Sequence, residues 1–244
     1  NPDKYRKMPT LRDLSEDMAK DERMTRIRNI MSKYVTGSAR NFSEPTNISL
    51  DNKYTVIDLS AFEKNKKMLP IAMYIALDLI DDKVKEDRTK NKRVFIDEIW
   101  RLVGKGAPEA AAQSVLEMFK TFRGLGCGVV AVTQELSDFF ALDNGSYAQA
   151  ILNACSLGMV MATEPVALNL LRNSLSLEQN EIEMIQGLER GQALLIGNGS
   201  SVAIKIIASR LEHELITTDV HEMNAMVEER MKEMADELDS SAEP

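Results

Sequence analysis

Cysteine, histidine and tryptophan are nearly missing from this chain: its 244 residues include two cysteines, two histidines and one tryptophan. Cys127 and Cys155 lie far apart in apolar stretches, which excludes a disulfide framework and points to buried thiols in a reducing compartment. His213 and His221 have no ligand-spaced partners, so the residue pattern does not spell a zinc site. No apolar run reaches the roughly 18 residues that a membrane span needs, and no signal peptide opens the chain. The chain opens on Asn1 without a methionine, and the expectation is a piece of a longer protein. Net charge is scarce in the body. The formal total is −8, yet residues 212–244 hold 11 acidic and 2 basic side chains, so the other 211 residues come to about +1. The acidity belongs to the tail and says little about what the body binds.

Also missing is the phosphate-cradling pattern G-x-x-x-x-G-K-[ST] between a strand and a helix. The nearest stretch, Gly104-Lys105-Gly106, lacks the Ser or Thr and follows an acidic strand. "GNGS" at 197–200 reads as a hairpin turn.

What the chain does contain is 44% apolar and 28% charged residues, enough for one large core with appendages. Roughly the first 36 residues read as helices. Thr10 is an N-cap candidate with Asp13 three residues on, and Met24, Ile27, Ile30, Met31 and Tyr34 share a face of the next helix, which Gly37 closes. "YTVIDLS" is a β-branched run that fits a buried strand ending in Asp58. "MLPIAMYIALDLIDDKV" is a helix with an apolar face. From there "RVFID", "CGVVAVTQ" and "LGMVMAT" read as strands alternating with amphipathic helices, one of them opened by Pro108. "GQALLIG" and "SVAIKIIAS" form a pair across Asn198-Gly199, an antiparallel hairpin at the edge. The expected class is α/β, a mostly parallel sheet flanked by helices. The expected organisation is a helical subdomain at 1–45, a core at 46–216 and an acidic C-terminal helix at 217–244. That helix carries a stripe of Met223, Val227, Met231, Met234 and Leu238.

In a parallel α/β sheet, ligands bind beyond the carboxyl ends of the strands. "RVFID" ends in Asp97 and Glu98, the next strand in Thr133 and Gln134, and "YTVID" in Asp58. Adjacent carboxylates at the end of an oily run cost several kcal/mol to bury unpaired. Either the pair is a solvent-facing strand end, or it serves a magnesium nucleotide. In the second case Asp97 holds Mg²⁺ through its water shell, and Glu98 orients or deprotonates the attacking water. Gln134 is either a polar strand terminus or an amide that senses the γ-phosphate. Arg123 lies off the apolar face made by Ala111, Val115, Phe119 and Phe122. It is either a solvated helix-end cation or an arginine finger toward a neighbouring subunit, with Lys120, Arg172 and Arg190 as rivals.

Taken in order, "PTLRDL", "YTVIDLSAF", "VFIDEIWRLV", "FRGLGCGVVAVTQELSDF", "ILNACSLGMVM" and "LSLEQNEIEMIQGLERGQALLIG" make nearly the whole chain resemble the C-terminal ATPase domain of the VirB-type ATPases of type IV secretion and conjugation. These belong to the HerA/FtsK group of RecA-like motors. The resemblance implies a RecA-like core, with Asp97 and Glu98 as the Walker B pair, Gln134 as sensor and Arg123 as finger. It implies ATP and Mg²⁺ as cofactors, self-association into a hexameric ring, and a cytoplasmic location against the inner face of the membrane beside secretion-channel components. The departure is the absent Walker A segment, which the family carries just upstream of the helical insert. Weak or undetectable ATP binding by this chain alone is therefore expected. Two other readings remain. A DNA pump of the same group would use basic residues such as Arg88, Lys90, Lys92 and Arg93, which also fit a solvated loop. A nucleotide-free scaffold would dock through its methionine-rich C-terminal helix, whose stripe equally fits packing on its own domain.

Overall fold

The computed structural model describes residues 9–62, 64, 65 and 68–241, with side chains described through Lys232. Met234 and Leu238 of the C-terminal stripe therefore lie outside the described side chains. The chain is α/β and divides into two compact units, residues 1–148 and 149–244.

The first unit begins with α1 (Leu11–Met18) and α2 (Thr25–Val35). Thr10 caps α1 as its sequence predicts: its hydroxyl accepts from the Asp13 amide, and the Asp13 carboxylate accepts from the Thr10 amide at 2.6 Å. Helix α3 (Leu69–Glu86) follows, then strand β1 (Lys92–Ile96), the single turn α4 (Trp100–Val103) and α5 (Glu109–Thr121). Strand β2 (Cys127–Ala131) runs parallel to β1, with Val94 opposite Val129 and Ile96 opposite Ala131. The short α6 (Leu136–Phe139) comes next. Helix α5 packs on α3 and α4. Its face of Ala111, Ala112, Val115 and Met118 is at most 3% exposed, and with Val103 and Phe122 it forms the core. Each such large apolar side chain contributes roughly 1.5–3 kcal/mol when fully buried.

Helix α7 (Ser146–Ala154) carries the chain into the second unit. There β3 (Leu157–Met161), α8 (Pro165–Leu175), α9 (Gln179–Gln186), β4 (Gln192–Gly197) and β5 (Ser200–Lys205) follow. Strand β4 is antiparallel to both β3 and β5, so the expected hairpin is part of a three-stranded antiparallel sheet. Its turn has Asn198 at φ 52° and Gly199 at φ 75°, the two left-handed positions that a two-residue I′ turn requires. Ile151, Leu168, Ile185, Ala193 and Leu194 form this unit's core, each at most 2% exposed. The chain ends in α10 (Arg210–Ile216) and α11 (Val220–Ser241).

Three expectations are corrected. "YTVIDLS" forms no strand and pairs with none among the described residues, and Tyr54 and Val56 are 83% and 90% exposed. A β-branched run acquires strand structure only through a ladder partner and burial, and here it has neither. The run "SVAIKIIAS" ends as a strand at Lys205. Ser209 instead opens α10 through a capping box with Glu212, a signal present in the sequence as S-x-x-E. Cys127 is buried as expected, but Cys155, just past the end of α7, is exposed.

Candidate functional site

Strand β1 ends with Ile96 buried, and Ile99 three residues later is only 1% exposed. These two isoleucines anchor the turn on both sides. The carbonyl of Ile96 accepts from the Val132 amide at 2.9 Å, and the Ile99 amide returns to the Val132 carbonyl at 3.0 Å. Asp97 and Glu98 project from this turn because their neighbours are the ones that face the core. Asp97 is exposed and Glu98 half-buried. This answers how an oily run can end in two carboxylates without burying either.

Glu98 has φ 49°, in the left-handed region that a long side chain enters at a cost of roughly 1–3 kcal/mol. Its amide donates to Asp97 Oδ1 at 2.9 Å, which stabilises the turn. The Glu98 carboxylate meets two donors. Trp100 Nε1 donates to Oε2 at 2.7 Å, and Gln134 Nε2 donates to Oε1. Gln134 is 36 residues away in sequence, on the loop between β2 and α6. Parallel pairing of β1 with β2 brings the two strand ends to the same rim, where Glu98 and Gln134 meet. Trp100 as a partner of Glu98 was not foreseen. Its sequence signal is only the aromatic residue two positions after the Glu.

Arg123 is elsewhere. It is exposed in the 3₁₀ turn Phe122–Leu125, ahead of β2, and its carbonyl accepts from Gly126, whose own carbonyl accepts from Lys92 at the start of β1. Arg123 thus stands at the amino end of the strand pair and Glu98 at the carboxyl end. One length of β2 separates those ends, about 17 Å for five residues at ~3.3 Å each. The rivals Lys120, Arg172 and Arg190 are all exposed.

Asp58 is exposed, and its carboxylate accepts from the Ser60 amide at 2.8 Å. That bond, followed by one from the Ser60 hydroxyl, holds the Asp58 carboxyl below the usual range. Gly104-Lys105-Gly106 serves packing. The Gly104 amide closes α4 on the Trp100 carbonyl at 2.7 Å, and the Lys105 amide donates to Asp138 of α6. In the basic cluster, Lys90 pairs with Asp87 at 3.4 Å, Lys92 donates to the Asp87 carbonyl, and the Arg93 side chain lies over Gly128. Two of those four cations therefore shape the loop before β1.

No group of three or more His, Cys, Asp or Glu converges as a metal site among the described residues. That donor set does not fit an all-protein cage. It does fit Mg²⁺, which keeps several waters and is usually held by one or two carboxylates together with substrate phosphates. Asp97 is an exposed carboxylate just past the end of β1. No helix among the described residues is long and apolar enough to cross a membrane.

The family model described as the TraG P-loop domain matches residues 6–233. Among solved structures, VirB4 of Thermoanaerobacter pseudethanolicus is similar to this chain, with a TM-score of 0.74 and 21% identity over 87% of this chain and 59% of that one. The chain thus spans about three fifths of that structure's length, and the likeness establishes the fold. The genome packaging NTPase B204 of Sulfolobus turreted icosahedral virus 2, solved with ATP-gammaS, matches with a TM-score of 0.41 at 17% identity, covering 63% of this chain and 66% of that one. That likeness is too low to argue from. No curated protein matches the chain.

Proposed function

The chain belongs to the TraG P-loop domain family, and from that premise we propose that it is the hydrolytic part of an ATPase that powers conjugative or type IV secretion transfer. The observation that carries this reading is the hydrogen bond joining Glu98 to Gln134 across the carboxyl ends of two parallel strands. A nucleotide with Mg²⁺ supplies the phosphoryl group and charge neutralisation when bound. Asp97 would then hold the ion's water shell. Glu98 would orient the attacking water and accept its proton, and Gln134 would carry the state of the γ-phosphate into β2.

The separation of Arg123 from Glu98 supports a finger acting between copies, since a side chain at one end of β2 does not reach the other end of its own sheet. The proposed assembly is a ring, proposed further to be a hexamer, working at the cytoplasmic face of a secretion channel. The phosphate-cradling loop is proposed to come from a segment outside these 244 residues. The DNA-pump reading draws less support, because Lys90 and Lys92 are committed to Asp87.

Calorimetry with Mg-ATP tests this on two samples: this chain, and the longer gene product that includes the reading frame upstream. The expected result is binding by the longer product alone, with hydrolysis abolished in its Glu98→Gln variant. Absence of binding in both samples would sink the ATPase reading and leave the docking scaffold.

A further inference from the structure

We propose that Trp100 is a positioning residue for Glu98, and that Trp100 and Gln134 form a clasp which occupies both carboxylate oxygens in the resting site. The proposal rests on the reading of Glu98 as the water-orienting carboxylate and names how that residue is regulated. A carboxylate that orients water must offer it a lone pair in the right direction. Here Oε2 faces the Trp100 indole N–H and Oε1 faces the Gln134 amide. An indole nitrogen donates only, so Trp100 neither takes nor passes a proton. Its contribution is direction.

The two sides of the clasp differ in how firmly they are held. Trp100 is half-buried at the start of α4, directly after the buried Ile99, and its carbonyl is tied to the Gly104 amide. The Arg101 guanidinium sits 5.0 Å from the centroid of its ring, within cation–π range. Gln134 is exposed and lies between β2 and α6. The indole side is therefore the fixed side and the amide side the movable one. Withdrawal of Gln134 toward a γ-phosphate frees Oε1 for a water while Oε2 stays anchored. The left-handed turn at Glu98 brings its carboxylate back to a residue only two positions along the chain. In this reading the backbone strain at Glu98 is part of the clasp.

The test uses the single tryptophan. Its indole N–H gives one cross-peak in a ¹H–¹⁵N spectrum of this chain, free of overlap from any other tryptophan. The expected result is protection from solvent exchange in the native chain and about tenfold faster exchange in Glu98→Ala, the factor expected for a lost bond to a charged acceptor. Gln134→Ala should leave that protection within about threefold, because the anchor is on the other oxygen. Unchanged β2 amide shifts in each variant show that the fold has survived. An indole that exchanges freely in the native chain, or that ignores Glu98→Ala, overturns the proposal.

A kinetic arm uses Trp100→Phe in the longer gene product, which keeps the ring and removes the donor. A fall in kcat of about tenfold with little change in KM supports the positioning role. An unchanged kcat overturns it while leaving hydrolysis by Glu98 intact. A longer product that hydrolyses nothing defeats the ATPase reading, and the exchange experiment still decides whether the clasp exists.

Discussion

The β4–β5 hairpin and the end of β1 share a backbone device and use it for different purposes. Both put a non-glycine residue into the left-handed region, Asn198 at φ 52° and Glu98 at φ 49°. In the hairpin, the two-residue turn demands that conformation, and Asn-Gly is the pair that adopts it most cheaply. At the rim the same conformation falls to a long acidic side chain with no such preference. Among the described residues, the other left-handed non-glycine residues are Asp143, Asn144 and Ser176, short polar side chains that tolerate it. Among the described residues Glu98 alone departs from the local rule, and it also has a carboxylate with a donor on each oxygen. Backbone strain at a residue type with no preference for it is the outlier from which the proposed role of Glu98 starts.

Gly104 provides the largest test of this contrast. A Cβ there would lie 2.3 Å from the Asp138 carbonyl oxygen and 2.5 Å from that of Trp100, both backbone atoms. Gly104→Ala should therefore lower unfolding free energy by about 3 kcal/mol in urea titration, because neither backbone can yield cheaply. A smaller loss would mean that the support beneath the rim is soft. Next in size is Asn198→Val, which places a β-branched residue at positive φ and should cost about 1–2 kcal/mol by the same titration.

Glu98→Asn sharpens the comparison from the other side. Asparagine accepts the left-handed turn, which offsets the lost contacts to Trp100 and Gln134, so stability should change by less than ~1 kcal/mol. Hydrolysis by the longer gene product should nevertheless disappear. If Glu98→Asn destabilises more than Asn198→Val does, then Glu98 is a structural residue and the contrast collapses.

The smallest effect concerns the loop that leads into β1. Hydrogen bonds from the Thr89 hydroxyl, and then from its amide, lower the Asp87 carboxyl from 3.8 to about 2. A folded pKa below the unfolded one means that the stabilisation is fully present above about pH 3.8 and is lost as pH falls toward about 2. An NMR titration of Asp87 should show the low midpoint, and Thr89→Ala should move it up toward 3.8. A midpoint that stays low in the variant would show that the cations, and not Thr89, hold the carboxyl down.

Much of this arrangement was legible because it is local. The Thr10–Asp13 capping box, the Asn198-Gly199 turn and the apolar face of α5 each depend on residues within a few positions of one another. The runs that became β1 and β2 were readable for the same reason, down to their polar endings. Less legible were features that needed a distant partner. "YTVIDL" has the composition of a strand, but strand identity depends on a neighbouring ladder, and none pairs with it among the described residues. Cys155 sits in an apolar context in the sequence and is exposed in the structure. The capping box at Ser209 was legible and was masked by the apolar run before it.

By itself, the sequence determined that Asp97-Glu98 and Gln134 would each follow a short apolar strand, since side-chain periodicity and turn chemistry act over a few residues. Tertiary structure alone decided the rest of the site. Parallel register set Gln134 against Glu98 across a sequence separation of 36, and the left-handed turn handed the other oxygen to Trp100. The same register sent Arg123 to the opposite end of the sheet. Which strand ends share a rim is a property of pairing between distant segments, and pairing is settled by burial of the whole core.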